Sequence, residues 1–281
     1  MSRRVRPVLL GIVSDIHTGS TVAVCPPEGV KLDDGGKYLP SRPQQWLWQC
    51  WTDFWARVAA QRRALKAELW CVYNGDLFEG GAHHGTTQII SGNPEVQAYL
   101  AARVFGVPRE LRPAHTFIVR GTEAHVGPSG ATEEAFARSI HAERDPETDK
   151  WSWWHLRLAP HGCLLDFQHH GRQGQRPWTE ASVVSLLAAQ IFYEHARRGL
   201  PHPRLAIRSH RHKVGDSGDS HPVRVIQTPA FQLKTGYAHR VAAESLADIG
   251  GVIVTVFPDG QYAVEKVLFT PELPTPWVAS A

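Results

Sequence analysis

Five short β-forming runs that each stop at aspartate or histidine constrain this chain more than any other feature. They are "PVLLGIVSDIH", "AELWCVYNGD", "AHTFIVRGTEAH", "GCLLDFQHHG" and "RLAIRSHRH". Each is a brief apolar or β-branched stretch bounded by polar residues, as expected of a strand buried on both faces. Helical stretches lie between them: "QQWLWQCWTDFWARVAAQRRALKA", "NPEVQAYLAARVFGVPREL" and "WTEASVVSLLAAQIFYEHARRG". In the last, Thr179 is the expected N-cap and Gly199 the expected stop. Strand and helix in alternation predict an α/β sandwich, two mixed sheets flanked by helices, rather than separate all-α and all-β units.

At 281 residues, with 42% hydrophobic and 20% charged residues, the chain reads as one globular domain over 1–281. Within it we expect a Trp-rich insertion around 20–66 and a β-rich C-terminal part around 204–270. The β-runs "PVRVIQTPAFQL", "GGVIVTVF" and "YAVEKVLF" are expected to form a second, partly antiparallel sheet packed on the first. The last two are joined across the turn Pro258-Asp259-Gly260. A net charge of +3 permits anionic substrates but does not by itself argue for nucleic acid. No apolar run reaches the roughly 18–20 residues of a membrane helix, and "MSRRVRPVLLGIVSD" reads as a first strand rather than a leader. A cytoplasmic location with no membrane partner is therefore expected. The four cysteines form no Cys-x-x-Cys pair, so reduced thiols are expected rather than disulfides or structural zinc.

The polar residues fall at the ends of the predicted strands. They are Asp15 and His17, then Asp76, the Thr122–His125 cluster, His169 and His170, and finally His210 and His212. In open α/β sheets the loops after the strands converge on the ligand crevice. Carboxylate and imidazole together suit manganese, iron or zinc, and the lack of thiolate argues against a structural zinc. With about six to eight donors there are enough for two ions, which at roughly 3.5–4 Å separation clamp a phosphoryl group. Asp76 is the expected bridge, because it stands alone at its strand end with Gly75 allowing close backbone approach.

This ordered set resembles the calcineurin-like metallophosphoesterase superfamily, from Asp15 to His212. "SDIHTG" and "NGDLFEG" match its Asp-x-His and Gly-Asp elements. Ser209-His210-Arg211-His212 matches Gly-His-x-His with serine for glycine, and the His169-His170-Gly171 turn stands for the remaining histidine. The fuller texture resembles a subgroup common in bacteriophages and prophages, which would place the protein in the cytoplasm of a bacterial host. The resemblance implies a metallophosphoesterase-like sandwich with two divalent ions, manganese first and iron, zinc or nickel as alternatives. Asp15, His17, Asp76 and His212 would hold one ion; Asp76, His210 and either His169 or His170 would hold the other. The implied reaction is hydrolysis of a phosphate ester by hydroxide generated at the ions. The weak positive charge, the Trp-rich stretch and the phage-like texture favour a nucleotide or nucleic acid as substrate.

The third motif departs from the family. Thr122 stands where a ligating asparagine is usual, Glu123 where its partner histidine is usual, and His125 follows two positions later. His125 is read first as the acid that protonates the leaving oxygen, secondly as a ligand of the second ion. In a third reading Glu123 takes that ligand place, with Thr122 as the remaining candidate. The departure also supports an alternative function, a catalytically degenerate fold acting as a binding or scaffold protein. A metal-dependent amide or deaminating hydrolase is disfavoured, because those barrels carry His-x-His on the first strand and the lone aspartate on the last.

Two further features have competing readings. His83 and His84, in a Gly-rich stretch past Asp76, are candidate substrate contacts or ordinary loop residues. Trp48, Trp51 and Trp55 share one helical face beside Leu47, Phe54 and Val58, which makes them a core stripe before a nucleobase platform.

Overall fold

The structure, a computed structural model, describes residues 5–80, 88–172, 179–272 and 276–278. In chain order its elements are β1 (Val8–Val13), β2 (Val30–Lys31), β3 (Lys37–Tyr38), α1 (Arg42–Leu65), β4 (Glu68–Asn74), α2 (Pro94–Val104) and α3 (Gly106–Glu110). There follow β5 (His115–Val119), α4 (Glu123–Val126), α5 (Ala131–Ser139), β6 (Leu156–Leu158), β7 (Leu165–His170) and α6 (Glu180–Ala196). The chain continues with β8 (Leu205–Ser209), β9 (Gly215–Asp216), β10 (Arg224–Gln227), α7 (Gly236–Val241), β11 (Ile249–Val256) and β12 (Tyr262–Phe269). His83 and His84 lie outside the described residues.

Two five-stranded sheets face each other, in the orders β12-β11-β1-β4-β5 and β6-β7-β8-β10-β9. Each is mixed, with three parallel strands (β1, β4, β5 and β7, β8, β10) and antiparallel strands on the flanks. The α/β sandwich expected from the alternation is therefore the fold. Strand periodicity assigns the layers. Along β1, Leu10 and Ile12 face the second sheet, while Leu9 and Val13 face α1. Leu165 and Phe167 of β7 meet them from the opposite sheet. On the far side, Val184 and Ala188 of α6 cover Val223 and Val225.

Helix α1 shows why the Trp-rich stretch packs inward. Ser41 and Gln44 close a capping box at its start, and Lys66 ends it in a left-handed turn at φ 52°. Trp51, Phe54 and Trp55 are fully buried, while Trp46 and Trp48 are half-buried against the same core. The sheet makes room for them: a Cβ on Gly11 would lie 2.7 Å from the Trp55 ring, and one on Gly251 2.6 Å from Phe54. The core reading of this stripe holds. The next predicted helix divides into α2 and α3, because Pro108 has no N–H to continue the ladder. Thr179 stands at the N-cap of α6 without a side-chain capping bond, and Gly199 ends the following turn at φ +64°.

The C-terminal β-runs do not form a sheet of their own, which corrects the sequence expectation. β10 lies parallel to β8 in the second sheet, whereas β11 pairs antiparallel with β1 and carries β12 at the edge of the first. "TPAF" is the crossover between sheets rather than strand, fixed by the Phe231 amide on the Asp15 carbonyl at 3.1 Å. Alternation of apolar residues shows which faces are buried but not which open edge a strand joins. The four cysteines are buried and free. Among the described residues, no helix is long and apolar enough to cross a membrane.

Candidate metal centre

All five loops singled out in the sequence lie at the C-terminal ends of parallel strands, three from the first sheet and two from the second. Their backbones are unusual. Asp15, His17, Asp76, His210 and His212 have φ of 50°, 47°, 54°, 76° and 51°, in the left-handed region that side chains ordinarily avoid. Such strain persists where neighbouring bonds over-determine the conformation. Here the loops after β1 and β4 run side by side, with Asp15 N on Gly75 O at 2.9 Å and His17 N on Asp76 O at 3.0 Å.

The side chains assemble into three adjoining groups that could hold a metal ion, Asp15–His17–His212, Asp76–His169–His210 and, sharing His17 with the first, His17–Glu79–His125. In the first, His17 Nε2 is 3.2 Å from His212 Nε2, and His212 Nε2 is 3.4 Å from Asp15 Oδ1. In the second, His169 Nε2 is 2.9 Å from Asp76 Oδ2, with His210 Nδ1 3.8 Å from the same oxygen. Asp15 Oδ1 also lies 4.0 Å from His169 Nε2, so it faces both of these groups. That oxygen is buried without a hydrogen-bond partner, and two imidazole nitrogens confront each other beside it. An orphaned carboxylate oxygen ringed by imidazole nitrogens is a donor set that fits divalent cations.

The surrounding residues fix which nitrogen each imidazole presents. His169 donates Nδ1–H to the Asn74 carbonyl at 2.7 Å, leaving Nε2 toward the two aspartates. His17 Nδ1 faces Glu79 Oε2 at 3.3 Å, leaving Nε2 toward His212, and Gln232 Nε2 donates to the same Glu79 oxygen at 2.8 Å. Carboxylates and carbonyls behind histidine ligands commonly set the tautomer in this way. Beneath Asp76 the glycines leave no spare room: a Cβ on Gly75 would lie 2.4 Å from His169 Nδ1, and one on Gly121 2.2 Å from the Asp76 amide.

Ser209, the serine in a glycine place, has a structural use. It accepts from Asn74 Nδ2 at 2.6 Å and meets Thr228 Oγ1 at 2.8 Å, and Thr228 Oγ1 meets Ser14 Oγ at 2.6 Å. Ser14 in turn donates to Asp15 Oδ2 at 2.6 Å. This buried network ties the two sheets together directly behind the ligand loops.

The electrostatics of the frame without cations follow from burial opposed by close partners. Burial works to raise the Asp15 and Asp76 carboxyls, but His212 and His169 hold both far below the ordinary range. Burial works to lower His169, yet Asp76 lifts it to about 10. His17 is raised against its burial by Glu79. A cation bound at these nitrogens competes with the protons they hold.

The residues among which the sequence left alternatives open take different positions. His169 is buried in the second group, whereas His170 is exposed, its ring 4.9 Å from that of His210. Alternation along β7 carries His169 on the inner face with Leu165 and Phe167, a signal the sequence contained. Glu123 is exposed, and its carboxylate accepts from the Ser129 amide at 3.2 Å, outside all three groups. Thr122 reaches the second group: its hydroxyl is 3.0 Å from His210 Nδ1, and its amide donates to Asp76 Oδ1 at 2.6 Å. His125 joins His17 and Glu79 instead, its ring 4.5 Å from that of His17 and its Nδ1 on the Glu79 carbonyl at 2.9 Å. Burial and the field of His17 push His125 down to about 4.

Two acids of this region escaped the sequence reading. Glu79 lies within the quoted "NGDLFEG" and was legible there as an acidic residue three positions past Asp76. Glu133 was not, since it comes from α5 in the middle of an ordinary helical pattern. It is fully buried and accepts from the Leu77 amide at 3.1 Å and the Gly121 amide at 2.7 Å, clasping the loops after β4 and β5. Burial and the neighbouring Asp76 charge push it up to about 7.

No family model and no curated protein matches this sequence. Solved structures similar to it include Vacuolar Protein Sorting 29 from Cryptosporidium parvum, at 11% identity and a TM-score of 0.40, covering 95% of this chain and 100% of that one. The 5'-nucleotidase precursor from Thermus thermophilus has 13% identity and a TM-score of 0.43, covering 94% of this chain and 55% of that one. A dimetal phosphatase from Danio rerio has 10% identity and a TM-score of 0.42, covering 88% of this chain and 95% of that one. The class defined by the coordinates themselves is a two-sheet α/β sandwich with adjoining aspartate–histidine groups at one edge.

Proposed function

We propose that this chain is a dinuclear metal-dependent phosphoesterase acting on a nucleotide or nucleic acid. The observation that carries the reading is the pair of adjoining groups, Asp15–His17–His212 and Asp76–His169–His210, drawn from both sheets and linked through Asp15 Oδ1. Each group would hold one divalent ion, manganese being the first choice for a carboxylate and imidazole set without thiolate. The sequence leads one to expect Asp76 as the shared carboxylate, whereas in the fold it is Asp15 Oδ1 that lies near both groups, with Asp76 in the second. Thr122 Oγ1 would stand in for the amide oxygen of the usual asparagine. When bound, the two cations supply Lewis acidity toward a phosphoryl group and water.

The remaining work belongs to side chains of this protein. Glu79 and the Asn74 carbonyl hold His17 and His169 in the tautomers that point Nε2 inward. His125 is the proton donor to the leaving oxygen. Its Nδ1–H is committed to the Glu79 carbonyl, so Nε2 is the nitrogen that would face the leaving oxygen. Because burial and His17 push the imidazole down to about 4, it donates only after Nε2 has taken up a proton, and donation returns the tautomer that the carbonyl stabilises.

Metal analysis and turnover of an aryl phosphate ester test this reading. Two equivalents of bound cation and metal-dependent hydrolysis are expected, with Asp76→Asn abolishing turnover. Full activity of Asp76→Asn would refute the assignment. Fewer than two ions with no hydrolysis of any ester would favour the scaffold alternative.

A further inference from the structure

A cavity of about 890 Å³ opens over the candidate metal centre, which forms its floor. One wall is drawn from the segment 232–247, which runs through α7. The wall is anchored at its base by Gln232 on Glu79 at 2.8 Å and by the Leu233 amide on the Val22 carbonyl at 2.9 Å. Thr235 caps α7 through the Ala238 amide at 3.2 Å. Its crest presents large apolar side chains to solvent, with Tyr237, Val241 and Leu246 exposed at 41%, 62% and 52%.

Charge is divided between floor and rim. The acidic lining residues among those described, Asp76 and Glu79, belong to the floor. The basic ones stand outside it: Arg211 and Lys213 on the loop that carries His210 and His212, Lys234 and Arg240 on the wall. Lys213 faces Asp248 at 3.6 Å and Lys234 donates to the Ala243 carbonyl at 2.6 Å, so both are held in place at the rim.

A cavity of several hundred cubic ångströms takes a ligand much larger than one phosphate group. Among the described residues no carboxylate forms an ion pair with Lys234 or Arg240, and a single phosphate on the floor would be matched by the metal centre instead of by these cations. A ligand bearing further phosphates supplies them with a counter-charge. An aromatic side chain among apolar neighbours beside such cations is the pairing that binds a nucleotide, base on ring and phosphate on cation.

We propose that the 232–247 wall binds a nucleotide unit carrying at least one phosphate beyond the one on the floor. Tyr237 stacks on its base, and Lys234 and Arg240 pair with the additional phosphate. This rests on the phosphoesterase reading for the phosphate at the floor. A single strand of nucleic acid and a nucleoside triphosphate share this chemistry.

The test is equilibrium binding in manganese of a fluorescein-labelled octathymidylate with phosphorothioate linkages, read by anisotropy without turnover. Adenylyl imidodiphosphate, thymidine monophosphate and inorganic phosphate are the competitors. The labelled strand or the triphosphate analogue is expected to bind at least tenfold more tightly than the last two. Tyr237→Ala should weaken binding roughly 5- to 150-fold, with Tyr237→Trp restoring it. The Lys234→Ala, Arg240→Ala double variant should weaken it at least tenfold and flatten the slope of its salt dependence by about 0.7 for each phosphate no longer neutralised. Displacement by the triphosphate analogue at equal concentration assigns the wall to nucleoside triphosphates, and resistance to it assigns a strand. Unchanged binding in these variants, or monophosphate competing as well as triphosphate, overturns the proposal. Hydrolysis of p-nitrophenyl phosphate and of bis(p-nitrophenyl) phosphate by the unaltered protein is measured separately, turnover of either counting as hydrolysis. Tight octathymidylate binding without that hydrolysis overturns the phosphoesterase reading and leaves the wall standing. Hydrolysis with octathymidylate bound no more tightly than inorganic phosphate does the reverse.

Discussion

Glu133 donates nothing to the candidate centre, yet both its carboxylate oxygens hold backbone amides of the loops that carry Asp76 and Thr122. Glutamine keeps one acceptor and turns an N–H against the second amide. Glu133→Gln is therefore expected to cost about 1–3 kcal/mol in urea denaturation. It should also weaken manganese binding about 10- to 100-fold by calorimetry, the range typical when a residue supporting the ligands is replaced. If both stay at wild-type values, the clasp has no role. Gly75 allows a sharper test, because it sits at φ +89° with the His169 ring against it. Gly75→Ala should destabilise the fold by at least about 1–2 kcal/mol and reduce bound manganese by one equivalent or more. A wild-type denaturation midpoint with full metal content would contradict the packing described.

At the scale of single elements, α1 and the β7–β8 pair make separate demands. Trp51 is fully buried and donates Nε1–H to the Val104 carbonyl at 3.0 Å, joining α1 to α2. Trp51→Ala should cost about 3–5 kcal/mol in chemical denaturation. Trp51→Phe should cost about 1–3 kcal/mol, mainly through the orphaned carbonyl. Between β7 and β8, Asp166 pairs with Arg208 at 2.8 Å, both nearly buried, and also with His155. Burial works to raise Asp166, but His155 and Arg208 hold it below the ordinary carboxylate range. A depressed acid stabilises the fold fully above its unfolded value, about 3.9, and loses that contribution as pH falls through the lower folded value. Acid titration of the unfolding midpoint should show this loss below about pH 4 in the parent. It should be smaller in Asp166→Asn, which starts about 3–5 kcal/mol less stable at neutral pH because Arg208 is left buried alone. An identical acid limb in both proteins would remove Asp166 from the account.

For the whole molecule the decisive fact is that the donors come from both sheets. Asp15, His17 and Asp76 follow strands of the first, while His169 lies at the end of β7 and His210 and His212 follow β8 in the second. Cations bound there tie the sheets together only in the folded state, so binding adds to stability by mass action. Manganese at a hundred times its dissociation constant should add about 2.7 kcal/mol per site and raise the melting temperature, with chelator reversing it. Asp76→Asn should lose most of that rise. A melting curve indifferent to manganese would argue against a cross-sheet metal centre.

Much of this was legible along the chain because it depends on local rules. Apolar runs of strand length, helical stretches between them and polar strand ends are nearest-neighbour properties. They determined the α/β sandwich and the five strand ends rich in aspartate and histidine. The sequence reading left His169 and His170 open, although alternation with Leu165 and Phe167 puts His169 on the inner face. What only the tertiary structure decided depends on meetings between distant segments. β10 and β11 part into different sheets because β10 joins the nearby β8, whereas β11 pairs with β1 from the other end of the chain. Glu133 reaches the centre from a helix whose pattern is ordinary, and Glu123 turns outward although it sits inside the motif. His125 stands with His17 and Glu79 because the short helix α4 swings it toward the loop after β4. A sequence fixes which residues lie at a strand's end, but the direction each side chain takes is set by the turn's backbone and by what packs behind it.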